Sequence, residues 1–425
     1  MKRYDSYKDS GVEWIGEIPK GWKIPRLKHS ITETFGGEVI DKSYWGEGPE
    51  TLYTTSKKIH QSDYPNFNDN RRTTKKDLLL SRNGDGIVHI PDDGGIYTNV
   101  VQLVRIKQEV DRRFLWYSLT FQIKPLNSYS DGDFIVSLNK EQWFNLLTPL
   151  PPLNEQQQIV SFLDTKTSLI DSLIEKTQLK IELLKEKRTS LINHFVTKGI
   201  DPNVEMKDSG VEWIGEIPSH WDIIPLRHLG SFQNGISKGS EFFGKGYPFM
   251  NYGDVYKYDV TPIEVGGKVE SDEVERERYS VTRGDVFFTR TSETKDDIGV
   301  SSTCLKTIDN CSFSGFVIRY RFHKETHLPE FSRYHFQTHW KKILIESKMN
   351  IVTRSSLSQR VLGMVPVLVP SIKQQQQIVE YLDEQTQLID NTISIEEKRI
   401  ELLKEYRQSL IPEVVTGKLK VTTDE

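Results

Sequence analysis

The chain has 425 residues, 36 % of them hydrophobic and 27 % charged, with a formal net charge of −4. That length allows two or three domains, each large enough to bury a core, and the composition excludes a disordered chain. No apolar run approaches the roughly 18–20 residues that cross a bilayer, no apolar stretch follows the basic start, and Cys304 and Cys311 are too few for a disulfide framework, which argues against a secretory signal and makes the cytoplasm the expected location.

The first predicted element is an arm over residues 1–21. It contains KDSGVEWIGEIP at 8–19, and the same twelve letters return at 207–218, with Trp14 and Pro19 matched by Trp213 and Pro218. Residues 22–149 read as a mixed α/β domain. Short apolar runs such as DLLLS (77–81) and VVQLVRI (100–106) alternate with Gly- and Asn-rich turns, and RFLWYSL (113–119) has the pattern of an aromatic amphipathic helix. Inside this domain Lys57, Lys58, Arg71, Arg72, Lys75, Lys76 and Arg82 stand against three acids.

At 150–198 the pattern changes to a helix, opened by LPPLNEQQQIVSFLD. Leu163, Ile170, Ile174, Ile181, Leu184 and Leu191 recur at alternating three- and four-residue steps, the seam of a coiled coil. A linker and the repeated arm follow over 199–220, then a second mixed domain over 221–368, which answers with DVFFT (285–289) and FVIRYRF (316–322). A distal helix over 369–412 repeats the central one as VPSIKQQQQIVEYLD, with Leu382, Ile389, Ile393, Ile400, Leu403 and Leu410 on its seam. Two matched helices in one chain favour packing on each other. Residues 413–425 read as a polar, frayed tail. The first block repeats at an offset of 199 residues and the helix at 219, so the frame is duplicated while its fillings differ in sequence and length.

Across that divergence KKDLLLSRNGDG (75–86) aligns with RGDVFFTRTSET (283–294): acid, three apolar residues, hydroxyl, arginine. Each strand would deliver an arginine, Arg82 beside Asn83 or Arg290 beside Thr291, into a loop. A loop arginine can make a bidentate contact to guanine or clamp a phosphate, and it can also pair with a nearby acid. Ser137, Thr353 and Arg354 lie just before each helix entry and are further candidates for DNA contact.

Signatures of catalysis fail on inspection. GSEFFGKG (239–246) lacks the Ser or Thr that a phosphate-binding loop needs after its lysine. Asp285, Glu293 and Lys295 resemble a metal-dependent nuclease constellation, but the first copy has Ile87 where the lysine would stand. Cys304, Cys311, His323 and His327 are spaced too widely for a zinc site. No catalytic residue and no metal ligand is assigned.

The doubled blocks DSGVEWIGEIPKGW and DSGVEWIGEIPSHW, PLPPLNEQQQIVSFLD and LVPSIKQQQQIVEYLD, and LLKEKRTSLI and LLKEYRQSLI, in this order, resemble the specificity subunits of Type I restriction–modification systems. The resemblance implies two mixed α/β target-recognition domains joined by two long helices in an antiparallel coiled coil with pseudo-twofold symmetry, an α/β (α+β) fold. It implies that each domain reads one half of a bipartite site in double-stranded DNA, and that the frame docks two methyltransferase (M) subunits and, through them, two restriction (R) subunits. S-adenosylmethionine would then belong to the methyltransferase and ATP and Mg²⁺ to the restriction subunit, with no cofactor on this chain. Two rival classes remain: a metal-dependent nuclease or combined restriction–methylation enzyme, and a coiled-coil adaptor that does not read sequence.

Overall fold

The computed structural model describes residues 3–13, 15–82, 86–128, 138–292, 298–323, 326–338, 340 and 355–421. They form two compact units, residues 1–178 with 398–425, and residues 179–397. In the first unit a four-stranded antiparallel sheet has the spatial order Ile31–Gly36, Val101–Ile106, Asp77–Ser81, Val88–His89. A three-stranded sheet stands beside it in the order His60–Ser62, Trp45–Tyr53, Ile96–Tyr97. The second unit repeats both orders: Gly230–Asn234, Val317–Phe322, Val286–Thr289, Ser301–Thr303, and then Gly267–Val269, Phe243–Met250, Ser312–Phe313. The fillings share little sequence yet have the same topology.

The continuous apolar runs follow from burial on both faces. Leu78 and Leu80 pack against Leu115, Leu119 and Trp143, while Leu79 points the other way, into a core with Leu52 and Tyr97. Val286 and Phe288 likewise face one core and Phe287 another. A strand covered on both sides needs no polar alternation.

Each filling enters and leaves through one neck. Lys23 and Leu150 exchange backbone hydrogen bonds (3.1 and 2.8 Å), and Asp222–Pro225 pairs antiparallel with Pro366–Val369. One glutamine from each QQQ run locks the neck to the helix. The Gln156 Oε1 accepts the Asp111 N–H (2.7 Å) and its Nε2 donates to Pro151 O (2.8 Å). Gln375 repeats this with Leu328 N–H (2.8 Å), Pro370 O (2.9 Å) and Thr326 O (2.8 Å). Both amides are buried.

The central helix runs Leu153–Lys198 and the distal helix Ile372–Val415. Along them Leu163, Ile170, Ile181, Leu382, Ile389, Ile400 and Leu410 are buried, and Ile174, Leu184, Leu191, Ile393 and Leu403 half-buried. In the second unit Lys180 meets Glu396 (2.5 Å) and Arg188 meets Asp390 (3.0 Å), so one helix ascends as the other descends. In the first, Arg407 meets Asp171 (3.4 Å) and Leu163 packs among Leu410 and Val414. Thr167, Thr177 and Thr386 tolerate burial because each hydroxyl donates to the carbonyl four residues earlier.

The end of the chain departs from expectation. The distal helix continues through Pro412 to Val415, and residues 416–421 after it are docked rather than frayed. Thr416 and Gly417 are buried, Tyr7 donates its hydroxyl to Gly417 O (3.3 Å), and Leu419 and Val421 pack on the core built by Ile15, Ile18 and Trp22. The N-terminal arm supplies the surface that the tail's composition gave no sign of.

The neck gives a stability prediction. Gln375→Leu strands the Leu328 N–H and two carbonyls in the interior, and should cost roughly 1–3 kcal/mol. Urea denaturation of this variant and of Gln156→Leu measures it, and unchanged midpoints would mean that the amides lock nothing.

Candidate nucleic-acid interface

Each four-stranded sheet has an end near the helices and a rim away from them. In the first unit the near end is marked by Ile106 N–H to Lys76 O (2.9 Å) and Lys107 N–H to Ser30 O (3.1 Å), close to the Asp111–Gln156 lock. At the rim, Arg82 N–H donates to Val100 O (2.8 Å), Asn99 N–H to Glu38 O (2.7 Å) and Thr98 N–H to Tyr53 O (3.1 Å).

The seven bases of residues 57–82 therefore do not make one patch. Lys57 and Lys58 are exposed on the turn that leaves the strand after Tyr53, at the Arg82 end. Lys75 and Lys76 stand in the turn before the strand that Arg82 follows, about 20 Å away at 3.3 Å per residue. Lys75 lies 3.9 Å from Asp93, and Arg71 is exposed. Arg72 is occupied: it grips Glu50 with two nitrogens (2.6 and 3.0 Å), Asp69 (2.7 Å) and Gly94 O (2.8 Å). Those hydrogen bonds raise its already high pKa and make it a brace between strand and turn.

The second unit builds its rim from the same three bonds: Arg290 N–H to Phe316 O (3.0 Å), Gly315 N–H to Ile236 O (2.8 Å) and Ser314 N–H to Met250 O (3.0 Å). Arg82 and Arg290 thus occupy one backbone position in two settings. Arg290 Nη1 also donates to Gly315 O at 3.4 Å. Thr291–Ser292 pairs with Ser355–Ser356, which brings the loop after the strand beside the segment before the helix. Asn83, Ser137, Thr353 and Arg354 lie outside the described residues. Glycine is required where the two rim turns meet, because a Cβ on Gly37 would lie 2.2 Å from Thr98 O and one on Gly235 2.2 Å from Phe313 O. These turns escaped the sequence reading, since hydrogen bonds between distant loops leave no local motif. The rims differ where the basic turn Lys57–Lys58 stands: the second unit has the helix Tyr252–Lys257 there, with Tyr252 and Tyr256 stacked.

The rejected enzyme signatures have structural roles. Asp285 is fully buried and accepts two bonds from Arg321 (2.6 and 2.7 Å), as Asp77 accepts one from Arg105 (3.1 Å). Each aspartate also takes the N–H and hydroxyl of the threonine three residues before it. The first acid of the nuclease-like constellation is therefore the anchor of a strand start; Glu293 and Lys295 lie outside the described residues. Burial pushes the thiols of Cys304 and Cys311 up to about 12, and His327, pushed down to about 4, is bonded to Leu368 O (2.9 Å). Among the described residues no group of three His, Cys, Asp or Glu could hold a metal. GSEFFGKG leads into the strand Phe243–Met250 rather than a helix, and no described helix is long and apolar enough to cross a membrane.

A family model described as the Type I restriction modification DNA specificity domain matches residues 19–183 and 218–405; the two segments begin at Pro19 and Pro218, the same letter of the repeat. The Type I restriction enzyme MjaVIII specificity subunit of Methanocaldococcus jannaschii is 24 % identical over 418 residues, 95 % of this chain and 94 % of that one. The EcoKI specificity subunit of Escherichia coli K12 is 24 % identical over 302 residues, 69 % of this chain and 62 % of that one. Among solved structures, a chain from work on the assembly and conformational transition of the type I R-M system aligns with TM-score 0.69 at 16 % identity, covering 95 % of this chain and 99 % of that one. The HsdS subunit of Thermoanaerobacter tengcongensis aligns with TM-score 0.54 at 15 % identity, covering 95 % and 98 %. The likeness to these two structures is one of fold.

The buried aspartates carry a prediction. Asp285→Ala leaves Arg321 without its counter-charge, and because Arg321 is 36 % exposed the cost should be about 2 kcal/mol, below that of a fully buried pair. Thermal denaturation should show the loss, and a variant as stable as the parent would remove the anchor role.

Proposed function

Because the chain belongs to the Type I restriction modification DNA specificity domain family, and is thereby the non-catalytic specificity subunit of a Type I restriction–modification system, we propose that its two variable regions each read one half of a bipartite target in double-stranded DNA. The observation that carries this reading is one strand order on two unlike sequences, with an arginine at the same backbone position of each rim. Arg82 with Lys57 and Lys58, and Arg290 with Thr291, are the residues proposed to meet the duplex. An arginine at a rim can take O6 and N7 of a guanine, and the lysines neutralise phosphate. Asn83, Ser137, Thr353 and Arg354 are retained in the proposal on sequence grounds. Lys75 and Lys76 sit at the other end of the strand that Arg82 follows, and Arg72, committed to Glu50, is less suited than exposed Arg71. The boundaries proposed for the two reading domains are 22–149 and 221–368, with the arms, helices and linker as frame.

The frame is proposed to dock two methyltransferase subunits and, through them, two restriction subunits. Leu169 and Leu388 are matched copies exposed at 54 and 56 %, and Leu183 and Leu402 at 56 and 55 %. Each unit therefore offers one leucine of each pair, as two copies of one partner would require. S-adenosylmethionine, ATP and Mg²⁺ are assigned to those partners and not to this chain.

Exchanging residues 22–149 for those of a homologue with another target should change one half of the methylated motif, read by single-molecule sequencing of adenine methylation in cells that also express the methyltransferase. A change in both halves, or in neither, would sink the modular reading. Arg290→Ala should cost roughly 1–3 kcal/mol of binding and relax one position of the other half-site. Leu183→Glu with Leu402→Glu should lower the number of methyltransferase subunits per chain in native mass spectrometry, and an unchanged count would place the docking surface elsewhere.

A further inference from the structure

Among the described residues, the pair of turns at each rim carries one exposed apolar side chain, on a different turn in each unit. Phe316 is 63 % exposed in the second unit and Val39 is 76 % exposed in the first. A lone exposed apolar residue has no meaning of its own; here the backbone gives it one. Phe316 sits in a turn closed by Val317 N–H to Ser314 O (2.9 Å), its own N–H bonded to Ser314 Oγ (3.3 Å) and its carbonyl accepting the Arg290 N–H (3.0 Å). Gly315, just before it, is tied to Ile236 O (2.8 Å). The ring is thus held out into water by a hydrogen-bonded turn, next to the arginine. Val39 follows Glu38, whose carbonyl accepts the Asn99 N–H (2.7 Å) in the same pair of turns. The position of Val39 is taken by Ser237 in the second unit, and that of Phe316 by half-buried Val100 in the first. Among the described residues each turn pair therefore carries one exposed apolar group, of different size and from the opposite member of the pair.

On the reading that the rims enter the major groove, we infer that Phe316 and Val39 are specificity-determining residues, each recognising the C5-methyl group of a thymine in its own half-site. That methyl is the apolar feature of the major-groove base edges, and aromatic or aliphatic side chains are its natural complement. A turn already fixed by hydrogen bonds contributes such a contact with little ordering on binding. The adjacent arginine is suited to guanine, so the pair gives each rim one reader for G·C and one for A·T. Val39 and Phe316 differ in reach, which fits half-sites that differ.

The test uses the full chain with its methyltransferase partner and duplexes of its own target, in which thymines are replaced one at a time by deoxyuridine. One replacement in the half-site assigned to residues 221–368 should weaken binding of the parent roughly fourfold, the value of one buried methyl. The same replacement should leave Phe316→Ala unaffected, and the methylated motif of that variant should relax at this base pair. Val39→Ser should do the same in the other half-site and only there. Since both side chains are largely in water, neither variant threatens the fold. If Phe316→Ala keeps the motif and no deoxyuridine matters while Arg290→Ala alters that half-site, the inference fails and DNA reading by the rim stands. A half-site without an A·T pair also overturns it. If Arg290→Ala, Phe316→Ala and exchange of residues 221–368 all leave the motif intact, the reading itself fails.

Discussion

Both fillings of this chain join the frame through a neck two backbone segments wide. Paired chain segments at Lys23 and Leu150, and at Asp222–Pro225 and Pro366–Val369, bring the entry and exit of each filling together. A buried glutamine then fastens that point to its helix through an N–H at the start of a helix within the filling and the carbonyl before its own helix. Because these bonds are made by backbone and by one amide on the frame, they hold whatever lies beyond the neck. A filling can change its surface, gain residues or lose them, and the frame still presents it from the same place.

Beyond the neck, the fold constrains the core and leaves the rim free. Strands covered on both faces accept any well-packed apolar run, which is why DLLLS and DVFFT occupy equivalent strands with few shared letters. The anchors at the near end are less free: a buried aspartate bonded to an arginine on the neighbouring strand occurs in both units. At the rim the backbone bonds recur but the side chains differ, from the Lys57–Lys58 turn to the tyrosine helix. Such a division of labour suits a reader whose targets diverge while its partners stay the same.

The helices are arranged on the same principle. Their seam is apolar except where a threonine bonds its own helix or Glu396 meets Lys180, and the crossing Arg–Asp pairs oppose unlike charges along the antiparallel course. The matched leucines stand exposed on both helices, so this apolar surface is duplicated along with the scaffold.

The sequence by itself determined the duplicated frame, the two long helices, the alternation of frame and filling, and the family, because repeats and heptads are written in consecutive residues and survive without coordinates. It also aligned Arg82 with Arg290, since a strand followed by a loop is local. Only the tertiary structure decided that Arg72 is committed to Glu50 and that Asp285 is an anchor. It alone decided that the segment after the distal helix docks on the N-terminal arm and that Phe316 and Val39 stand exposed on the turns of the two rims. The physical reason is the same in each case. These facts depend on hydrogen bonds and ion pairs between residues far apart in the chain, and such partners are chosen by the fold of the backbone, not by the letters beside them.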